Sequence, residues 1–132
     1  LNSARQKGRD ARRISDIKQL QLALELYYDQ NANYPTPPLS TASGGNLNGL
    51  IASIPTDPQT GAAYAYAALG SGTVCSSYHL GAVLETAGHS SLSSDSDAAA
   101  GTVCTGGGTD FAGASAGCTA TAGTDACFDV KP

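Results

Sequence analysis

Four cysteines, two histidines and one pair of neighbouring aspartates are the residues of this 132-residue chain whose types and spacing could carry chemistry. Cys75, Cys104, Cys118 and Cys127 all lie in the second half, 29, 14 and 9 positions apart. No CxxC pair occurs, and neither His79 nor His89 stands at finger-like spacing from a cysteine pair. Two disulfides and an oxidising compartment therefore fit better than a structural zinc. The favoured pairing is Cys75 with Cys104 and Cys118 with Cys127, although spacing alone does not choose among the three that four cysteines allow. Gly113-Ala114-Ser115-Ala116-Gly117 formally matches a nucleophile elbow, a motif that works only on a sharp strand-to-helix turn. Its flanks here are low-complexity, and serines and aspartates are too abundant for their coexistence with His79 or His89 to mean a triad. With no P-loop, dinucleotide fingerprint or HExxH, the expectation is a protein that is not an enzyme and has no catalytic residue.

Aromatic residues are only 6% of the chain, with no Trp and two Phe. That allows one small domain whose core draws on aliphatic residues and a few Tyr. The net charge of −4 hides a division. Arg5, Lys7, Arg9, Arg12, Arg13 and Lys18 stand in the first 18 positions beside only Asp10 and Asp16, giving +4 there and −8 elsewhere. Interrupting aspartates and the lack of interleaved aromatics argue against specific nucleic-acid binding. A positive stem set against the acidic body of a neighbouring copy is the alternative use of that charge.

From Ser3 to about Asn31 good helix formers run without Pro, so one helix of seven or eight turns is expected. At 100° per residue, Ile14, Ile17, Leu20, Leu24, Tyr27 and Tyr28 share one apolar arc, the face for a small sheet. Leu22 and Leu26 lie on nearly the opposite side, in line with Ala4, Ala11 and Ser15. Such a second stripe serves a helix that packs against neighbouring helices. The competing reading is that a sheet or loop of the same domain wraps round to cover Leu22 and Leu26. No stretch is apolar for the roughly 18 to 20 residues a membrane span needs, and no signal peptide is present. The start at Leu1, already inside helical sequence, is read as a sign that an upstream segment carrying a membrane anchor has been removed.

Tyr34-Pro35-Thr36-Pro37-Pro38 ends the helix, and Asn46–Ile51 reads as a short helical turn or loop. The turn Pro55-Thr56-Asp57-Pro58-Gln59-Thr60-Gly61 leads into two strands, Ala63–Ala67 and Ser77–Glu85, joined through Gly70-Ser71-Gly72. Phe128-Asp129-Val130 is a third. Between them, 23 of the 29 residues from 98 to 126 are Ala, Gly, Thr or Ser, a composition that needs crosslinks to be ordered. The expectation is an α+β domain over 1–132: a helix stem (1–33), an αβ loop (34–62), a β-hairpin (63–85), a disulfide-stapled loop (86–126) and a terminal strand (127–132), about three antiparallel strands in all.

The run Asn2-Ser3-Ala4-Arg5-Gln6-Lys7-Gly8-Arg9-Asp10-Ala11-Arg12-Arg13, with Asp16-Ile17-Lys18-Gln19-Leu20, Leu26-Tyr27-Tyr28 and Tyr34-Pro35, resembles the helix that follows the membrane segment in bacterial type IV pilins and in the major pseudopilin of type II secretion. Pro55-Thr56-Asp57-Pro58 with Tyr64-Ala65-Tyr66, Tyr78–Glu85 and Phe128–Pro132 are similar to later parts of the same family. The resemblance covers most of the chain except 86–126. It implies an inner-membrane helix ahead of the stem, a methylated N-terminus in the full-length form, and self-assembly into a surface filament or a periplasmic pseudopilus. The filament interface would then be Ala4, Ala11, Ser15, Leu22 and Leu26. The roles implied are adhesion, motility or DNA uptake for a pilus, and secretion for a pseudopilus. Resembling pseudopilins bind calcium in the loop after the second strand, where this chain carries Asp95-Ser96-Asp97. Those two carboxylates are candidate calcium ligands, although the segment lacks the Gly and terminal Glu of an EF-hand loop. An extracellular binding module using the 86–126 loop is the reading from a different class.

Overall fold

The computed structural model describes residues 2–86, 88–121 and 123–132. Leu1, Ala87 and Ala122 lie outside the described residues. Helix α1 runs Asn2–Asn31 and is followed by strands β1 (Ala65–Ser71), β2 (Val74–Val83) and β3 (Cys127–Val130), with a 3-10 turn at Ser90–Ser93. The strands form one antiparallel sheet in the order β1-β2-β3. No described helix is long and apolar enough to cross a membrane.

The helix stops where the sequence removes its means of continuing. Ala32 takes a left-handed φ of 55°, and its N–H donates to the Tyr28 carbonyl at 2.7 Å, a one-residue αL cap. Asn33 then anchors the chain to the sheet by accepting a bond from the Cys75 N–H at 2.6 Å. Ile17, Leu20, Ala23 and Leu24 are buried against Tyr78, Leu80, Ala82 and Phe128. The alternate residues of β2 turn the other way, where His79 stacks on Phe111 with ring centroids 3.9 Å apart. Gly81 is required there, since a Cβ would stand 2.9 Å from Phe111 Cε2 and 3.0 Å from Cys127 Sγ. The long loop thus forms a third layer that covers the face of the sheet away from the helix.

Several boundaries differ from expectation. The first strand begins two residues later than Ala63, which makes only an isolated bridge to Thr56, and continues to Ser71. The second begins at Val74 and ends before Glu85, which turns back to the helix. The Ala/Gly alternation is too weak to mark where a ladder starts. Tyr28, placed in the buried arc by its angle, is 38% exposed. It lies at the last turn, where the sheet no longer reaches, and tilts against Tyr34 at 4.6 Å.

The disulfides are Cys75–Cys104 and Cys118–Cys127. They fasten a loop that also occupies both edges of the sheet. Beside β1, Cys104 N–H donates to the Ala68 carbonyl at 3.1 Å and Gly70 N–H to Thr102 at 3.0 Å. Beside β3, Cys127 N–H donates to Ser115 at 3.0 Å and Ser96 N–H to Asp129 at 3.1 Å.

Candidate functional site

Three groupings of side chains stand out. The first is the exposed side of α1. Ala4, Ala11, Ser15, Leu22 and Leu26 are all exposed, Leu22 by 64% and Leu26 by 41%. They recur at alternating intervals of seven and four residues, which keeps them within one narrow strip of the helix about 33 Å long. Neither the sheet nor the described part of the long loop wraps round to them. The domain therefore leaves two leucines in water that a partner could cover, each worth roughly 1 to 2 kcal/mol on burial.

The second is an ion network that aims the helix. Arg13 is fully buried in the middle of the sheet-facing arc and meets three carboxylates. Its Nε donates to Asp57 at 2.7 Å, and its Nη1 to Asp10 at 2.9 Å and to Glu85. Arg9 closes the set with two bonds to Glu85, each 2.6 Å. Asp10 also accepts from the backbone N–H groups of Glu85 and Thr86, both at 2.9 Å. Hydrogen bonds from Arg9, and then from Arg13, outweigh burial and hold the Glu85 carboxyl down at about 2. Arg13 does the same to Asp57, well below the usual carboxylate range. Arg9 and Arg13 thus spend their charge within this network. They pin the turn at Asp57 and the end of β2 to one level of the helix.

The third is carboxylate-rich and lies on the face of the sheet away from the helix, where Asp129 stands opposite Gly81. Asp129 is fully buried on β3. Its Oδ1 accepts from Asp97 N–H at 2.8 Å and its Oδ2 from Ala98 N–H at 3.0 Å and His79 Nε2 at 2.6 Å. The other ring nitrogen of His79 bonds Asp110 Oδ1 at 2.7 Å, so this buried imidazole is bracketed by two carboxylates. Burial opposes its protonation, but the bonds to Asp129 and Asp110 outweigh that and raise its pKa. With both nitrogens taken, His79 has no bond to Ser115. That hydroxyl is itself buried, donating to the Ala112 carbonyl and accepting from Thr119 N–H. His89 instead accepts from Ser91 N–H at the start of the 3-10 turn.

Asp95 and Asp97, the two residues singled out in sequence, are brought together with Asp129. One ligand atom of each lies within 4.8 Å of the others. Asp97 holds a left-handed φ of 45°, a conformation aspartate tolerates better than most residues. Asp95 Oδ2 accepts from Asp129 N–H at 3.2 Å, while its Oδ1 is buried with no hydrogen-bond partner among the described residues. Burial, together with the Asp129 and Asp97 charges, pushes Asp95 up to about 8. Burial and a hydrogen bond shared with Asp97 raise Asp125 to about 6. An orphaned carboxylate oxygen within a set of hard oxygen donors fits a calcium-type cation, because such an ion would satisfy that oxygen and offset the mutual repulsion. A Cβ at Gly113 would come within 2.1 Å of Asp129 Oδ2, so the loop must present a glycine for this carboxylate to sit where it does.

Sequence reasoning missed Asp129 and His79 because alternation along a short strand does not reveal that both faces are covered. It missed Arg13 because a charge in a helical arc ordinarily faces water. No protein-family model, curated protein or solved structure matches the chain.

Proposed function

We propose that this domain is a structural subunit of a type IV pilus-like surface filament, polymerising through its N-terminal helix. The observation that supports it most directly is the uncovered strip Ala4, Ala11, Ser15, Leu22 and Leu26 along one side of a helix whose other side is committed to its own sheet. A 30-residue helix with both sides apolar in part suits a rod that packs its own domain outward and other rods inward. In this reading an apolar segment ahead of the stem anchors the subunit in the inner membrane before assembly, and the filament lies outside it. The adhesive, motile or DNA-uptake role belongs to the assembled fibre.

The major pseudopilin of a type II secretion system is the second reading, favoured by the carboxylate cluster in the position where resembling pseudopilins bind calcium. There Asp95, Asp97 and Asp129 would hold the ion. It would fasten the 95–98 segment to β3 by charge neutralisation, with no catalytic part. Electron microscopy of cells carrying the anchored protein tests both. Long surface fibres that vanish in a Leu22→Asp, Leu26→Asp double variant, with the domain still folded, are the expected result. Short periplasmic fibres favour the second reading, and fibres unaffected by the double variant overturn the interface.

A further inference from the structure

On the flank of α1, between the helix and the 91–96 segment, lies a cleft of about 370 Å³. That falls within the range of small-ligand sites. Its floor is apolar, made by Ile14, Phe128 and Val130, and its rim is polar. Two ammonium groups, Lys18 on the helix and Lys131 after β3, line the rim, and neither forms an ion pair among the described residues. Ser91, Ser94, Ser96 and Gln21 add neutral polar groups, and two carboxylates, Asp95 and Asp129, line it as well. Gln21 donates its Nε2 to the Tyr78 hydroxyl at 3.1 Å, leaving its carbonyl oxygen as an acceptor. The hydroxyls of Ser91 and Ser96 have no partner among the described residues.

We propose that this cleft binds a carboxylate-bearing saccharide of the uronate type. The ammonium groups would take the carboxylate, the serines and Gln21 the ring hydroxyls, and the apolar floor a C–H face of the sugar. An inorganic anion is too small for such a volume, and the rim offers neither an Arg fork nor a nest of backbone N–H groups to hold one. A nucleic-acid strand would need exposed aromatic platforms and a longer basic track, whereas Phe128 is almost wholly buried and the cations number two. Asp95 and Asp129 also border the cleft. The Asp129 charge is already met by His79 and two backbone N–H donors. This inference does not depend on filament assembly. In a filament, each copy would contribute one weak site and repetition would supply avidity.

The test is a titration of the isotopically labelled 132-residue chain with trigalacturonic acid, in calcium-free buffer and again with calcium. Neutral galactotriose and an oligothymidylate serve as comparisons. Amide shifts confined to Lys18, Ser91–Ser96 and Phe128–Lys131 are expected with the acidic sugar in at least one buffer, weakening as salt rises. Lys18→Gln and Lys131→Gln should each lower affinity about three- to five-fold and leave the spectrum otherwise unchanged, since both side chains are exposed. No shifts in either buffer, equal shifts with galactotriose, the same residues responding to oligothymidylate, or full binding by the double Lys variant would each overturn the proposal.

Discussion

Replacing Arg13 by methionine removes the hub of the ion network while keeping an unbranched side chain of similar length. The guanidinium is buried and bonds Asp10, Asp57 and Glu85. Without it, Asp57 loses two charge-assisted bonds, and Glu85 keeps only Arg9. Asp10 retains the Glu85 and Thr86 N–H groups and so remains satisfied. Breaking a buried pair from one side costs about 3 to 5 kcal/mol. The side chains of Asp57 and Glu85 keep 13% and 15% exposure, so water can partly resolvate them, and the lower end, about 3 kcal/mol, is expected. On a domain of about 5 to 15 kcal/mol total stability that is a large fraction. Urea unfolding followed by far-ultraviolet circular dichroism, with the slope held constant, measures it. Arg13→Lys restores a positive charge without the planar fork and should recover less than half of the loss. A decrease below about 1 kcal/mol for Arg13→Met would show that the network does not hold the domain together, and full recovery by lysine would show that a charge suffices there without the planar fork.

Stability should fall as the pH drops from about 4.5 towards 2, because Glu85 is held at about 2 in the fold and its contribution is complete only above its ordinary value of 4.5. Glu85→Gln should flatten that limb, and an unchanged acid limb would refute the assignment. Calcium should raise the thermal midpoint, with a stabilisation of about 2.7 kcal/mol when the ion stands at a hundred times its dissociation constant. Asp95→Asn should abolish the rise, and a midpoint indifferent to calcium would reject the site. Gly113→Ala drives a methyl into Asp129 and should cost about 1 to 3 kcal/mol. Equal stability in denaturant would mean that the loop does not hold this carboxylate in place.

The helix and its two apolar sides were legible because Ile17, Leu20 and Leu24 repeat at helical spacing and nothing interrupts them before Tyr34-Pro35. The three strands were legible as a set, through Tyr64-Ala65-Tyr66 and the Tyr78–Leu84 run, but not at their ends. Of the acidic site, Asp95 and Asp97 were visible as neighbours in a loop. Asp129 was not, since its link to them spans more than thirty positions and arises only when β3 joins the sheet. The third layer was hidden for a different reason. Ala, Gly and Thr bury little side chain each, so 98–126 reads as unanchored, whereas Phe111, the half-cystines and backbone bonds to both outer strands fix it to the sheet.

That third layer bears on how copies of this chain can meet at high local concentration. The peptide groups along the outer margins of β1 and β3 are partly spent on Thr102, Cys104, Ser96 and Ser115 of the same molecule. A second copy approaching side-on finds little free ladder to extend. Runaway stacking of sheets is thereby discouraged, and the leucine-bearing helix is left as the open apolar route to association. Opening the Cys118–Cys127 bond would loosen the guard beside β3 and leave that margin open to cross-strand aggregation.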